Sequence, residues 1–445
     1  MKSIVWLLFA SLFLCVAAFA TEGPEQSPAQ KQAAPVNTVA MSLRDVLETA
    51  LANNPEIRAS IGRAAVSAAR VPAAGALDDP MVMYRNWGTP LSKPWDLNQA
   101  QNMFMVQQAL PGFGKRAARS AIASQEADLA KYDAESLRRD VAVRVRKLFL
   151  DLLRNADDRR LHETQAALTR EALSSAQVKY TVGKAPQQDV LKAQIALTRL
   201  AEHLIGLEEE AAATRAELNS LMGRSPDAPL EVTGRYTTET PTLGLLDLER
   251  LALDSRPELL ALRKQSELAD NTTRLAQLGY KPDFTLAAGY MVMPAGSEFR
   301  NNYMAEVTMS LPWLNRRKHN AEIAEAKAAA EVTRAEIEGQ RRAVFLEIQR
   351  ALIKVQAAQR RLKLYRDILR PQSEATFKSA AAAYQHDRTD FLNLIDSQNM
   401  LLDVQTSYYK AAADLDSRLA ELERAVGASL PHDRRAGEGD NPGAT

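Results

Sequence analysis

Two periods of hydrophobic patterning alternate along this chain, and each occurs twice. In the second half, Phe284, Leu286, Ala288, Tyr290 and Val292 alternate with Thr285, Ala287, Gly289, Met291 and Met293. Tyr303, Ala305, Val307, Met309 and Leu311 then alternate with Met304, Glu306, Thr308 and Ser310. A period of two predicts strands at about 284–293 and 302–311, the second with one apolar and one polar face. The first half carries a less regular pair at about 81–87 and 102–110, joined by a loop holding Gly88, Pro90 and Pro94. After each pair the period lengthens. Arg116 to Thr181 contains neither Pro nor Gly, and Arg316 to Leu369 contains no Pro. Phe345, Ile348, Leu352, Val355, Leu362 and Leu369 fall at spacings of 3, 4, 3, 7 and 7, a heptad seam. A helix of about 65–70 residues is about 100 Å long and cannot bury itself, so it must pack on other long helices. Each rod breaks once, at 182–188 and at 386–390, where Gly183 permits a turn and Pro186 disfavours helix at Ala185. Helices then return and end at Gly223 and Gly427.

These parallels amount to a tandem duplication. Asn54-Pro55-Glu56 recurs as Arg256-Pro257-Glu258, an offset of 202; Leu110-Pro111 recurs as Leu311-Pro312, an offset of 201. Tyr180 and Tyr384, and Gly223 and Gly427, are each 204 apart. Each copy is too long for a solenoid repeat and reads as a whole subdomain. The organisation is a first repeat over 41–223 with a helical hairpin at 115–222, a connection at 224–245, and a second repeat over 246–428 with a hairpin at 316–426. The fold class is mainly α with a small β part.

The ends carry targeting and solvated segments. Lys2 precedes an apolar run from Ile4 to Ala20 that closes on Ala18-Phe19-Ala20, the pattern of a cleaved signal peptide over 1–20. Cys15 lies inside that run after Leu14, a poor context for lipidation, so the mature chain is expected to lack Cys. Residues 21–40 read as a flexible leader and 429–445 as a disordered tail.

Composition narrows the function. Lys and Arg number 56 against 55 Asp and Glu, a net charge of +1, which gives no electrostatic case for nucleic acid. Five scattered His, one Cys, no Gly-rich phosphate loop and no nucleophile elbow leave no cofactor, metal or catalytic site to predict, and argue against an enzyme.

Four strands of 8–11 residues are long enough to cross a bilayer when tilted, yet four cannot close a barrel, and an open edge is not tolerated in lipid. Three copies would pool twelve. Trp87, Trp95 and Trp313 lie in or beside the strand regions, as in an interfacial girdle. Lys115, Arg116, Arg119 and Arg316-Arg317-Lys318 follow the strand pairs, where headgroups are expected. A soluble sheet capping a coiled coil is the competing reading.

With the duplication, the NPE and RPE starts, the LPGFGKR strand exit and the turns YTVGKAPQQDVL and YQHDRTDFLNLID, residues 41–428 resemble the outer membrane efflux protein family, the TolC-like channels. The resemblance implies a homotrimer embedded in outer-membrane lipid, with a twelve-stranded β-barrel continued by a periplasmic α-helical barrel. It also implies a periplasmic adaptor (membrane fusion protein) and an inner-membrane pump as partners. The expected function is the exit duct of a tripartite efflux system for small molecules or metal cations. A type I protein-secretion duct and a periplasmic coiled-coil scaffold are the alternatives. The family's adaptor-contact turns fall on Val182, Gly183 and Lys184, where Lys184 replaces Leu, and on His386 and Asp387. Its closing network falls on Tyr384 and Asp189; its Arg position is Thr389, with Arg388 adjacent. Its two acidic pore rings fall on Asn393 and Asp396, and Asp390, three residues earlier, shares their helix face. Eight of the twelve Met (81, 83, 103, 105, 291, 293, 304 and 309) lie in the strand regions. Thioethers suit soft cations, but Met is also an ordinary lipid-facing filler.

Overall fold

The computed structural model describes residues 40–386 and 388–430. The signal segment with Cys15, nearly all of the leader, Asp387 and the tail beyond Leu430 lie outside the described residues.

The first repeat runs β1 (Ala40–Met41), α1 (Leu43–Asn53), α2 (Pro55–Gly75), β2 (Met81–Trp87), β3 (Gln101–Leu110), α3 (Lys115–Thr181) and α4 (Gln187–Leu221). The second runs β4 (Glu231–Val232), α5 (Leu245–Ser255), α6 (Pro257–Leu278), β5 (Phe284–Val292), β6 (Asn301–Met309), α7 (Arg316–Leu364), α8 (Arg370–Gln385) and α9 (Phe391–Val426). The architecture is mostly helical with a small sheet, as the patterning predicts. Its spine is α3, whose 67 residues span about 100 Å. It packs against α2, α4, α6 and α9, and α9 in turn packs against α7 and α8.

Local signals set the element ends. Ser42 and Asp45 form a capping box on α1. Asn54 caps α2, its Oδ1 accepting from the Glu56 and Ile57 amides, with Pro55 at the first helical position. The turn after α3 closes as a Schellman motif: the Lys184 amide donates to the Lys179 carbonyl and the Gly183 amide to that of Tyr180, with Gly183 at φ 73°.

The recurring Pro-Glu motifs and terminal glycines meet in space. Asn54 Nδ2 donates to the Leu221 carbonyl (3.0 Å), and Arg256 Nη1 donates to that of Ala425 (2.7 Å). Each therefore occupies an orphan carbonyl at the end of its repeat's last helix. Gly427, at φ 80°, lies so close that a Cβ there would meet Arg256 Cα at 2.5 Å. The two clasps are the same device built once from a neutral amide and once from a guanidinium.

Three features depart from the sequence reading. The second rod is not one α-helix to Leu369: it contains a π turn over Tyr365–Leu369, where the Arg370 amide donates to the Tyr365 carbonyl. Pro371, just beyond, has no N–H and its ring would crowd the carbonyl four residues back, which a wider turn relieves. The seam also differs. Val344, Ile348, Ala351, Val355, Ala358 and Leu362 are the buried positions, a regular 4-3-4-3-4 spacing in which alanines take alternate places, while Phe345 and Leu352 only flank it. Lastly, Ala40–Met41 pairs in parallel with Glu231–Val232, so the end of the expected leader is structured.

The connection between repeats is bound to both. Tyr236 packs on the cores of each repeat and its hydroxyl donates to Asp157 Oδ2 (2.8 Å). The Thr237 amide donates to Asp416 Oδ2 (2.8 Å). Asp416 also accepts from Arg146, so one buried carboxylate joins α3, α9 and the connection.

Candidate functional site

The sheet is antiparallel in the order β2-β3-β5-β6, uniting both repeats. Registered rows run Val82–Val106–Ala288–Ala305 and Tyr84–Phe104–Tyr290–Tyr303 on one face. That face is apolar, aromatic and exposed: Tyr303 is 91% and Val82 79% accessible. The opposite face carries Arg85, Gln101, Gln107, Asn302, Glu306 and Thr308, together with methionines and, at the end of β2, Trp87, which is thus on the polar face and not on the aromatic one that an interfacial girdle would use. Among the described residues neither β2 nor β6 has a partner on its outer edge. Such a sheet suits a wall with lipid on one side and water on the other.

Where strand passes to helix, Asp283 ties the repeats together. Its carboxylate accepts from Lys115 Nζ (2.8 and 2.9 Å) and from the Gly112 amide (2.7 Å). A Cβ at Gly112 would meet the Pro282 carbonyl at 2.6 Å, which accounts for that glycine. Lys115 is thus turned inward and buried, not free for a headgroup, whereas Arg119 and Arg316-Arg317-Lys318 are exposed. Burial acts to raise the Asp283 carboxyl, but the Lys115 ammonium and the Gly112 amide outweigh it and hold the group below its ordinary range. A depressed carboxylate stabilises the fold above its unfolded pKa of about 4, and that contribution is lost as pH falls through the folded value. Asp283→Asn should remove this acid-sensitive component, read as a smaller loss of thermal stability between pH 5 and pH 3 than in the wild type. An unchanged pH profile would refute it.

At the far end of the rods the helix ends close on a small core of Ala176, Ala193, Tyr384, Phe391 and Leu394. Lys179 Nζ lies 3.9 Å from the centroid of the Tyr384 ring and donates to the Tyr384 carbonyl (3.0 Å), so the end of α3 grips the end of α8. Phe391 meets the same ring edge-on at 5.9 Å. The Tyr384 hydroxyl is buried with no hydrogen-bond partner among the described residues. Tyr384 is buried, while its counterpart Tyr180 is exposed, so the tip is where the repeats diverge. Sequence reading singled out Tyr384 but missed Lys179 and Phe391. The adjacency of Lys179 to Tyr180 was the available signal.

The remaining tip residues fall in three groups. Val182, Gly183 and Lys184 form an exposed turn; His386 and Arg388 lie on the second, where the Arg388 amide donates to the Ala383 carbonyl (2.8 Å). Asp189 lies in the first turn of α4 and, among the described residues, makes no ion pair with Arg388. Asp390 caps α9, its Oδ1 accepting from the Asn393 amide (3.0 Å). Asp390, Asn393 and Asp396 sit at three-residue intervals and are all exposed, on the face away from Phe391 and Leu394. Along the rods, His162 and His203 approach to 5.5 Å between ring centroids across the hairpin. Among the described residues no three His, Cys, Asp or Glu side chains are placed to hold a metal ion. No described helix is long and apolar enough to cross a membrane, which bears only on helices.

The family pattern named outer membrane efflux protein matches residues 46–224 and 248–428, one stretch on each repeat. The chain belongs to the outer membrane efflux protein family. As a member it is an outer-membrane exit duct for efflux. It is similar to the cobalt-zinc-cadmium resistance protein CzcC of Cupriavidus metallidurans, 20% identical over 310 residues, 68% of this chain and 73% of that one. Among solved structures it matches CusC with a TM-score of 0.74 at 14% identity, covering 90% of this chain and 96% of CusC. It matches the outer-membrane channel OprN with a TM-score of 0.73 at 18% identity, covering 87% and 90%.

Proposed function

We propose that three copies of this chain close a single duct, and that it passes small molecules or metal cations from periplasm to exterior. The observation that carries this is the pair of unpaired edges on a four-stranded sheet whose faces differ so sharply. Joining β6 of one copy to β2 of the next gives twelve strands with aromatics outside and polar groups inside. The helices follow the same logic. α4 and α7 lie at the margins of the layer and expose Ile205 and Ile353, apolar positions that a neighbouring copy would cover. The name of the CzcC relative supports the metal part of the cargo. Passage is passive, so energy enters through an inner-membrane pump and an adaptor. The adaptor contacts are Val182, Gly183, Lys184, His386 and Asp387. Tyr384, Asp189 and Arg388, which among the described residues do not bond to one another within one chain, would form the closing network between neighbouring copies.

Extraction of the outer-membrane fraction with mild detergent should release a heat-sensitive trimer; a soluble periplasmic monomer would overturn the duct. The gate lies at Asp396 and Asn393, with Asp390 beside them. Three Asp396 carboxylates around one axis favour cations. Asp396→Asn should lower cation preference in single-channel recordings, and an unaltered reversal potential would remove Asp396 from the gate.

A further inference from the structure

We propose that the inner wall of the strand barrel carries a thioether surface that takes soft monovalent cations of the copper(I) and silver(I) class in transit. This rests on the duct reading above, which defines which face is inner. The alternation of the strands decides where the methionines go. Met81, Met83, Met103, Met105, Met291 and Met304 share the face of Arg85, Glu306 and Thr308, and only Met309 lies within a strand on the aromatic face. Filler for a lipid-facing wall would be distributed the other way.

The methionines are also neighbours. Met83 is registered opposite Met105, and Met103 opposite Met291. Met103 and Met105 are buried beneath their neighbours, while Met83, Met291 and Met304 are half-buried and Met81 is exposed, so the outer thioethers would meet the ion first. Met105 and Met304 both register with Gly289, so they flank a position that has no side chain. A Cβ at Gly289 would come within 2.7 Å of Met105 Cγ, which shows that Met105 leans across the gap. Directly opposed side chains start about 5 Å apart at Cβ, within reach of flexible thioethers converging on one ion. The sulfurs accept from polar groups of the same face: Arg85 Nη2 donates to Met83 Sδ (3.6 Å), Gln107 Nε2 to Met81 Sδ (3.9 Å), and Gln101 Nε2 to Met291 Sδ. Their lone pairs are therefore turned to the polar side.

Neutral, polarizable sulfur selects soft monovalent ions over zinc or cobalt, which prefer imidazole and oxygen donors. Thioethers do not protonate, so such a surface works across the pH range. Several equivalent weak sites in sequence let cargo enter and leave, as conduction requires.

The test uses the purified protein in detergent and chloride-free nitrate buffer. Silver binding is measured by equilibrium dialysis with elemental analysis, and zinc nitrate is run in parallel. Met83→Leu/Met105→Leu/Met304→Leu keeps side-chain volume, and Met304→Leu alone is a milder second variant. Wild type should bind several silver ions per chain, the triple variant should bind fewer, Met304→Leu should show a smaller loss, and zinc binding should not change. Equal silver binding by wild type and both variants, no silver binding by wild type, or a parallel loss of zinc overturns the proposal. Single-channel current in nitrate should fall on adding silver in the wild type and hold in the triple variant; an equal fall in both refutes the inner-wall placement. A heat-sensitive trimer that ignores silver overturns this proposal alone, whereas a monomer overturns the duct reading and this one with it.

Discussion

Arg146→Ala should cost about 3–5 kcal/mol, the scale of stranding a buried charge. Arg146 Nε and Nη2 both donate to Asp416 Oδ1, and Nη1 donates to Glu423 Oε2 at 2.8 Å. The Asp416 side chain is only 2% exposed and its other oxygen holds the Thr237 amide, so no water route can replace the guanidinium. The loss removes the guanidinium that neutralises this carboxylate between α3, α9 and the connection, while Lys147–Glu421 and Arg424–Asp140 still join α3 to α9. Replacing Arg146 and its most buried partner removes the deepest stranded charge: Arg146→Met with Asp416→Leu should recover part of the deficit, leaving an orphaned Thr237 amide at about 1–2 kcal/mol and the loss of the Arg146 bond to the part-buried Glu423. Denaturant titration of the purified protein, followed by helical circular dichroism, reads both. A single variant within about 1 kcal/mol of wild type would refute the account.

Ala305→Pro should abolish the assembled barrel while leaving each chain folded. In an antiparallel ladder, hydrogen-bonded and non-bonded pairs alternate. The Ser310 amide donates to Asp283 and the Met293 amide to Arg300, fixing the inward pairs on β6 at the even positions. Tyr303, Ala305 and Val307 therefore point their amides away from β5. Proline at 305 leaves the β5–β6 pairing intact, because an edge strand tolerates proline whose missing N–H faces outward. It matters only if a strand of another copy must accept that hydrogen bond, and the loss then recurs at each of three junctions in a medium without water to replace it. The expected outcome is a helical protein that no longer yields a heat-sensitive trimer. A trimer of wild-type heat resistance would show that β6 is not a junction strand.

Strands, rods and duplication were legible because each is periodic over many residues, and a period survives the neglect of tertiary detail. What escaped was non-periodic. The π turn follows from Pro371, which reads as a mild irritant in sequence but must be accommodated one turn earlier. The seam was misassigned because Phe345 and Leu352 look more apolar than Ala351 and Ala358, yet helices this close admit only small residues at alternate positions. Lys115 looked like a headgroup ligand because its partner Asp283 lies in the other repeat, 168 residues away. At the tip, Tyr384 stood out through its repeat partner Tyr180. Lys179, which grips it, has Ala383 as its counterpart, and an interaction present in one repeat only leaves no repeat signal.

The two clasps that close the repeats respond differently to the solvent. Asn54 holds its helix end with an uncharged amide. Arg256 stands in a lattice of charges, with Glu347 at 2.7 Å, Glu258 at 3.2 Å, and Arg424 joining both and Asp140. Added salt shortens the reach of exposed charge from about 8 Å at 0.15 M to about 3 Å at 1 M; it acts on the part-exposed Glu347 and Glu258 more than on the buried Arg256, and has little effect on an amide bond to a carbonyl. Around a closed trimer, ionic and neutral clasps would alternate six times. A ring of sixfold appearance would then soften at only three of its joints when ionic strength rises.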